Sequence, residues 1–455
     1  MGETERDILQ NIYHAGVAAV EPDRLVRETL SLSGYILAVR GGGEPLEFDL
    51  SQFNRLLVIG AGKATGRMAA AAKAILGDRI SDGGIAVKFP EEGESLRRIA
   101  VTVGGHPVPN AGSVAAAEAM SELARSADAR TLVLNLVSGG GSALLAAPWR
   151  DETGAGTSLA DKQETTRLLL GCGAAIGEIN CVRKHLSGIK GGRLAGLLAP
   201  ATVVSLILSD VVGDRLDVIS SGPTAPDPTT FSDMAEILDR HGIRDRVPVS
   251  VRTVLDRGLA GEIPETPGPD DPAFHRVHNR VIGTNFRALT AAKERAEELG
   301  FPALALTRRV TGEARDAATF LWGIAADAAT QGVPLSPPCC ILAGGETTVT
   351  LRGGGKGGRN QETALAFLAK MAGAPEIARN IHFLSGATDG DDGPTDAAGA
   401  FADFAALSRA RDQGLSIADF LNRNDAYHFF QKTDALFKPG PTGTNVCDLM
   451  ILLIR

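Results

Sequence analysis

Short apolar runs alternate with longer amphipathic segments along most of the chain. The runs at 55–59, 131–137 and 205–209 are mostly apolar without alternation, which is typical of strands buried on both faces of a parallel sheet. Segments such as 66–76 and 113–126 instead repeat their apolar positions with helical spacing. This alternation predicts an α/β fold in which helices cover both faces of a mostly parallel sheet.

The same pattern continues to the C-terminus. Further predicted helices are two within 4–38 and one each at 161–176, 286–299, 312–330 and 361–371. Further predicted strands are 84–88, 98–103, 278–284, 302–306, 339–342, 346–351, 381–385 and one at the C-terminus. A stretch rich in proline, glycine and acid predicts a linker at 256–274. We therefore predict two domains: a Rossmann-like α/β domain over 1–255 and a smaller α/β domain over 275–455.

Composition and charge exclude several classes of protein. The net charge is −8, and the basic residues form no stripe interleaved with aromatics, so we expect no nucleic-acid partner. No apolar run approaches the roughly 20 residues of a membrane span, and the polar N-terminus is unlike a secretory signal. The five cysteines form no C-x-x-C pair, which predicts free thiols in a reducing cytoplasm.

A glycine-rich turn, VIGAGKATG at 58–66, connects a predicted strand to a predicted helix. This arrangement directs backbone N–H groups and a helix N-terminus toward an anion. The glycines Gly60, Gly62 and Gly66 lack the G-x-G-x-x-G spacing of a dinucleotide site, and the turn does not match a Walker A sequence. Lys63 places a cation inside it. The turn therefore predicts an anion site and gives no sign of NAD.

A second turn, SGGGS at 138–142, follows the strand at 131–137. Consecutive glycines let the backbone form a nest of N–H groups suited to phosphate oxygens, although the pattern alone equally fits a turn without a ligand. We assign to nucleotide or phosphate binding the residues Gly60, Gly62, Ser138, Gly139, Gly140, Gly141 and Ser142.

A basic segment at 179–195 interrupts an otherwise acidic chain. An anionic substrate or a triphosphate needs such cations. We therefore predict that Arg183 and Lys184 bind substrate. For Lys190 a solvated helix face is the favoured interpretation.

Polar loops also follow the strands of the second half. The glycines at 353–358 predict a hairpin, after which Arg359 and Asn360 open a helix. An arginine at a helix start can bind carboxylate or phosphate with two nitrogens, and we assign Asn360 to substrate. Asp210, after the strand at 205–209, and Asp389, in ATDGDDGPTD, are candidate Mg²⁺ ligands; turn and cap roles are the alternative.

Nine motifs in order resemble the class II glycerate 2-kinase family, whose C-terminal part is the region called MOFRL. They are GAGKATGRMA, GGHPVPN, LVSGGGSALL, INCVRKHLSGIKGGRLA, LSDVVGDRLDVISSGPT, GGETTVTL, GGRNQE, ATDGDDGPTDAAGA and GPTGTNV. The resemblance implies an active site in the cleft between two α/β domains, and transfer of the ATP γ-phosphoryl to the 2-hydroxyl of D-glycerate with Mg²⁺. It also implies that Lys63 and Arg359, which match the lysine and arginine associated with activity in the family, are catalytic.

Several alternatives stay open at this point. Which of Lys63 and Arg359 contacts the phosphoryl group and which the carboxylate is undecided, and related sugar acids are alternative substrates. Some family members carry the name hydroxypyruvate reductase, but an NAD(P)H enzyme would need a dinucleotide fingerprint and a histidine–carboxylate pair. A sensor that binds nucleotide without catalysis is a third interpretation. The expected partners are small molecules, with a homodimer as one possibility.

Overall fold

The structure, a computed structural model, describes residues 4–90 and 96–455. It divides into two compact units. The N-terminal unit comprises Pro22–Ser209 and Asp214–Ile282, and the C-terminal unit comprises residues 4–21, Asp210–Gly213 and Gly283–Arg455. The first helix of the chain thus belongs to the C-terminal unit, whereas the domain prediction counts it within 1–255.

The described residues form helices and strands in alternation. The helices are α1 Glu5–Ala18, α2 Pro22–Thr29, α3 Thr65–Leu76, α4 Ala111–Arg125, α5 Gly141–Leu144, α6 Leu159–Gly171, α7 Ile176–His185, α8 Arg193–Leu198, α9 Phe231–Arg240, α10 Val249–Leu259, α11 Asn285–Glu298, α12 Ala314–Gln331, α13 Arg359–Gly373, α14 Pro375–Ala378, α15 Phe404–Asp412, α16 Ile417–Asn422 and α17 Ala426–Lys432. The strands are β1 Leu30–Ser33, β2 Ile36–Val39, β3 Leu46–Asp49, β4 Arg55–Ala61, β5 Asp82–Val87, β6 Ala100–Val103, β7 Thr131–Val137, β8 Thr202–Leu208, β9 Val277–Gly283, β10 Ala303–Val310, β11 Cys339–Gly345, β12 Ile381–Ala387, β13 Gly399–Ala402, β14 Leu436–Phe437 and β15 Asp448–Ile454.

The N-terminal unit is built on a six-stranded sheet in the order β6-β5-β4-β7-β8-β9. The strands from β6 to β8 are parallel to their neighbours, which confirms the fold class predicted from the mostly apolar runs. All seven residues of β7 and of β8 are buried. Because parallel strands end at one edge of a sheet, the turns after β4 and β7 lie side by side.

The C-terminal unit has its own six-stranded sheet in the order β10-β11-β15-β12-β13-β14. Here β10 and β11 are parallel, whereas β15 runs antiparallel to both β11 and β12. Asp448, the first residue of β15, therefore pairs with Gly345 and Ala387, which are the last residues of β11 and β12. A central strand thus brings a buried carboxylate to the edge where its neighbours end.

The helix α1 joins the C-terminal unit through one apolar face. Ile8, Leu9 and Ile12 are buried, and the Tyr13 hydroxyl donates a 2.6 Å hydrogen bond to the Ala387 carbonyl. Burial of such a face is the main favourable term in helix docking. The sequence of α1 gives no indication of this attachment, because its main packing partner, α11, lies far away along the chain.

Four helices of the N-terminal unit form a separate apolar cluster. Leu169 of α6, Val182 of α7, Phe231 of α9 and Val254 of α10 pack together in it. This cluster fixes α7, the helix that carries the basic segment. The predicted helix at 161–176 was too long: α6 ends at Gly171, and Gly173 follows with a φ of +76° that suits glycine.

Two other predicted elements differ in the structure. The second helix predicted within 4–38 ends at Thr29, and the alternating sequence that follows forms β1 and β2 in a three-stranded antiparallel sheet with β3. The strand predicted at 278–284 is present as β9, but it extends the sheet of the N-terminal unit, whereas the domain prediction places it within 275–455.

The predicted strand at 346–351 and the hairpin at 353–358 were wrong. Within these residues the structure shows only an isolated bridge between Glu313 and Thr348. The glycines pack instead against the chain near Arg423: a Cβ on Gly353 would lie 2.6 Å from an Arg423 backbone atom. Polar and apolar residues alternate at 346–351, but they lie in a loop and not in a strand. No helix among the described residues is long and apolar enough to cross a membrane.

Candidate active site

The first glycine turn packs tightly against the neighbouring strand. A Cβ on Gly60 would lie 2.1 Å from the Leu136 carbonyl oxygen, and one on Gly62, whose φ is +150°, would lie 2.0 Å from Ser138 Oγ. Both positions thus require glycine for close packing of β4 and its turn against β7. Their assignment to phosphate binding stays a prediction.

The backbone amides of this turn are used within the protein. The N–H of Gly62 donates to the Ala86 carbonyl at 3.1 Å, that of Lys63 to the Gly139 carbonyl at 2.8 Å, and that of Ala64 to Ser138 Oγ at 3.0 Å. The bonds from Lys63 and Ala64 hold the first turn against the second, and the bond from Gly62 holds it against β5. With these three amides engaged, the Lys63 side chain is the cationic group that the first turn can offer to an anion.

The second glycine turn lies beside Lys63. Gly140 has a φ of +80°, and a Cβ there would meet the His106 ring at 2.9 Å and Lys63 Cγ at 3.3 Å. Ser138 accepts from Ala64, while its own N–H donates to the Ala61 carbonyl. The amides of Gly139 and Gly140 have no acceptor in the described part of the chain. This turn is therefore the better candidate for an N–H nest.

The basic segment reaches the second turn through a lysine whose predicted environment was wrong. Lys190 is only 4% exposed, and its ammonium donates to the carbonyl and hydroxyl oxygens of Ser142. Ser142 also shares a 2.9 Å hydrogen bond with Ser221. A solvated face was predicted because a run of charged residues usually lies on the exposed side of a helix, but the tertiary fold turns Lys190 inward.

Two further cations lie near Lys190. Lys162 of α6 is buried and donates to the Leu186 carbonyl at 2.6 Å, and Arg183 at the end of α7 is partly exposed. Burial lowers the pKa of Lys162 to about 7, with Arg183 nearby adding to the effect. Burial, together with Lys162 and Arg183, also lowers the pKa of Lys190. We call Lys162, Arg183 and Lys190 the basic cluster.

Lys184 has a different environment. Its buried ammonium lies 2.6 Å from Asp227 Oδ1, and Asp227 also accepts from Thr229 and Thr266. Its charge is thus balanced inside the N-terminal unit. The structure does not bring it into the basic cluster, and its assignment to substrate stays a prediction.

In the C-terminal unit, Arg359 opens α13 as predicted and is held by two carboxylates. Its Nε and Nη2 donate to the two oxygens of Asp448 at 2.7 and 2.9 Å, and its Nη1 lies 3.0 Å from Glu346 Oε1. Burial would lower the pKa of Arg359, but the charge of Asp448 outweighs it, so the pKa lies above its usual value. The Nε–Nη2 edge, predicted to be available for an anion, is occupied by Asp448.

Asn360 is buried in the network that caps α13. Its side-chain oxygen accepts from Ser385 at 2.7 Å, and its N–H and that of Gln361 donate to Asp392. Burial raises the pKa of Asp392 to about 6, against the opposing effect of these two N–H groups. In this conformation Asn360 orients the start of α13, and its predicted role in substrate binding is untested.

Glu346 lies among like charges at the end of β11. Burial raises its pKa to about 7; Arg359 lowers it, and Asp448, Asp210 and Asp389 raise it further. The two predicted metal ligands, Asp210 and Asp389, are therefore close enough to raise the pKa of the same carboxyl group. No set of three His, Cys, Asp or Glu side chains converges to hold a metal ion by itself within the residues described.

Replacing Glu346 with glutamine is expected to give a stability difference from the wild type that shifts in favour of the variant as pH rises. The folded pKa is about 7 and the usual value is 4.5, so the folded protein keeps a proton that the unfolded chain releases. This contribution is complete below the unfolded pKa and is lost as pH rises through the folded pKa. Calorimetric Tm differences in metal-free buffers from about pH 5 to about pH 8 should grow with pH.

The exposed Glu298, which pairs with Arg295, provides the control for this measurement. Glu298→Gln should show a Tm difference from the wild type that does not increase over the same range. A constant difference for Glu346→Gln would contradict the raised pKa.

Sequence reasoning missed three residues of these sites. Asp448 had a weak signal, because a single carboxylate begins the otherwise apolar terminal strand. Lys162 had none, since it lies among polar residues on a helix, directly between Asp161 and Gln163. His106 lies against Gly140 only because two turns that are distant in sequence meet.

These features define an α/β protein with cations placed at the ends of sheet strands in both units, an arrangement suited to anionic substrates. A family model described as "Domain of unknown function (DUF4147)" matches residues 8–256, and the MOFRL family model matches residues 339–448. A glycerate 2-kinase of Pyrococcus horikoshii is 41% identical over 451 residues, covering 99% of this chain and 97% of the relative.

A crystal structure of glycerate kinase from Thermotoga maritima matches with a TM-score of 0.83 and 36% identity, over 100% of both chains. A putative hydroxypyruvate reductase of Agrobacterium vitis is 41% identical over 402 residues, covering 88% of this chain and 99% of the relative. The chain belongs to the glycerate 2-kinase family, which confirms the resemblance carried by the nine motifs.

Proposed function

We propose that this protein transfers the γ-phosphoryl group of ATP to the 2-hydroxyl of D-glycerate, producing 2-phospho-D-glycerate and ADP with Mg²⁺. The observation that carries the proposal is the basic cluster beside the second glycine turn. Such a concentration of positive charge fits reactants that are both anions. The Pyrococcus and Thermotoga relatives, whose names describe glycerate phosphorylation, support the choice of substrate.

Phosphoryl transfer needs positioning and charge neutralisation more than covalent chemistry. We propose that Lys63 and Arg359 supply positive charge to the transferring phosphoryl group and the glycerate carboxylate. The first-turn glycines stay structural in this account, and the second turn receives the phosphates.

The carboxylates of the C-terminal unit fit a magnesium ion. Asp210 and Asp389 both act on the pKa of Glu346, so they lie in one electrostatic environment. Magnesium is usually held by one or two carboxylates together with substrate phosphates, so it does not need a third protein ligand. We propose Asp210 and Asp389 as its ligands. Bound there, Mg²⁺ would neutralise phosphate charge.

The rival activity, reduction of hydroxypyruvate with NAD(P)H, is named by the Agrobacterium relative. A dinucleotide site presents the amides of its first glycine turn to the pyrophosphate. Here the amides of Gly62, Lys63 and Ala64 donate to protein acceptors. The structure therefore favours the kinase.

A direct assay should decide between the two activities. We expect ADP to form only when both ATP and D-glycerate are present with Mg²⁺, and phosphorus NMR to identify 2-phosphoglycerate. Hydroxypyruvate should not cause loss of NADH or NADPH. Formation of 3-phosphoglycerate would overturn the regiochemistry, and reduction of hydroxypyruvate without ADP formation would overturn the proposal. L-Glycerate and threonate in the same assay would define the acceptor.

A further inference from the structure

The basic cluster brings three basic side chains together without an acid to balance them in the described residues. Lys162, Arg183 and Lys190 have no carboxylate partner among residues 4–90 and 96–455. The acceptors of the two lysines are neutral oxygens, and the Arg183 guanidinium has no hydrogen-bond acceptor in the same residues. Buried charges are ordinarily paired, because removing them from water is costly.

The rest of α7 shows that the fold can supply such partners. Lys184 is one residue from Arg183, and the chain provides Asp227 at 2.6 Å to neutralise it. His185, the next residue, lies 3.2 Å from Glu265. Arg183 differs from both neighbours because no carboxylate in the described residues pairs with it, so its charge is available to a ligand.

The basic cluster is continuous with the second glycine turn. Lys190 holds Ser142 through two hydrogen bonds, and the amides of Gly139 and Gly140 lie in the same turn without acceptors in the described residues. Amides and cations that converge in this way match an anion with several oxygens and more than one negative charge. A single carboxylate would leave most of this charge unbalanced.

We propose that the basic cluster and the Gly139–Ser142 turn bind the polyphosphate of the nucleoside triphosphate. This inference rests on the proposed function and reassigns Arg183 from the sugar acid to the nucleotide. Arg183 donates directly to phosphate oxygens. Lys190 is a positioning residue that orients Ser142, and Lys162 adds charge behind them. The low pKa values of both lysines fit a site whose charge a polyanion completes.

The test is calorimetric binding to the full-length protein without glycerate, using ATP and inorganic tripolyphosphate as separate probes. Arg183→Gln should weaken both by about 10- to 100-fold, as expected for loss of a charged hydrogen bond. Arg183→Lys, which keeps the charge, should recover part of the affinity. The KM for ATP should rise in parallel, whereas the KM for glycerate should stay within about twofold of wild type.

Arg167→Gln is the matched control, because Arg167 is an exposed arginine on α6 that pairs with Glu164. It should leave both affinities unchanged. Lys190→Met, followed with a thermal melt, gives a second variant: it should weaken tripolyphosphate binding even where the fold is retained. If the Arg183→Gln variant does not fold, the binding measurements on Arg183→Lys and Lys190→Met carry the test instead.

Two results would overturn this inference. One is unchanged affinity for tripolyphosphate in Arg183→Gln. The other is a rise in the KM for glycerate alone, which would place the carboxylate here. Tight tripolyphosphate binding by a wild-type protein that does not phosphorylate glycerate would instead sink the proposed function and leave the polyphosphate site standing.

Discussion

Lys63→Met should lower kcat by roughly 10²–10³, as is typical when one preorganised charge is removed from a site where negative charge develops. Methionine keeps the methylene chain that packs beside Gly140, so the turn should keep its shape. Arg359→Ala should cause a loss of the same order. Steady-state ADP release with saturating ATP and glycerate measures both effects.

Two exposed or peripheral cations provide controls. Lys73 lies in the last turn of α3, the helix that Lys63 precedes, and Arg379 is exposed beside Glu376. Lys73→Ala and Arg379→Ala should keep kcat within about threefold of wild type, as expected for surface positions. Near-normal turnover in both Lys63→Met and Arg359→Ala would disprove the assignment of these residues as catalytic.

Asp448→Asn is expected to reduce both the stability and the activity of the protein. Asp448 is fully buried and accepts from two nitrogens of Arg359, so the variant leaves a partly buried guanidinium opposite a neutral amide. Removing one partner of a buried ion pair costs about 3–5 kcal/mol in the free energy of unfolding. Because Arg359 also loses its orientation, kcat should fall by about tenfold or more while the KM for ATP changes little.

Urea denaturation and steady-state kinetics measure these two effects separately. The control is Asp434→Asn: Asp434 is 90% exposed, pairs with Arg409 and has a φ of +51° that asparagine tolerates. It should change the free energy of unfolding by less than about 1 kcal/mol. An Asp448→Asn variant as stable and as active as wild type would show that Arg359 does not depend on this carboxylate.

Local pattern predicted the parts of the site that depend on neighbours in sequence. Lys63 lies between β4 and α3, and Arg359 begins α13, as the strand, turn and helix signals indicated. The same signals erred where a segment is shaped by distant contacts. Residues 346–351 alternate in polarity like a strand, yet Thr350 bonds to Glu313 and the following glycines pack against Arg423.

Charge shows the same division between sequence and fold. The sequence predicted that Lys184 binds substrate and that Lys190 lies on a solvated helix face. In the structure Lys184 is neutralised by Asp227, whereas Lys190 is turned toward the glycine turn with no acid beside it in the described residues. The position of a residue along the chain determines where its side chain points only relative to its own segment. Whether an acid lies there depends on another part of the chain.

The order of residues was sufficient for the α/β class, the parallel sheet of the N-terminal unit, the glycine turns and the family, because these depend on periodicity and on short motifs. Tertiary packing alone decided which charges are balanced. Asp448 reaches Arg359 from 89 positions away, and the amides of Lys63 and Ala64 in the first turn donate to the second turn. Burial and partner choice arise from contacts between distant segments, and no local pattern encodes them.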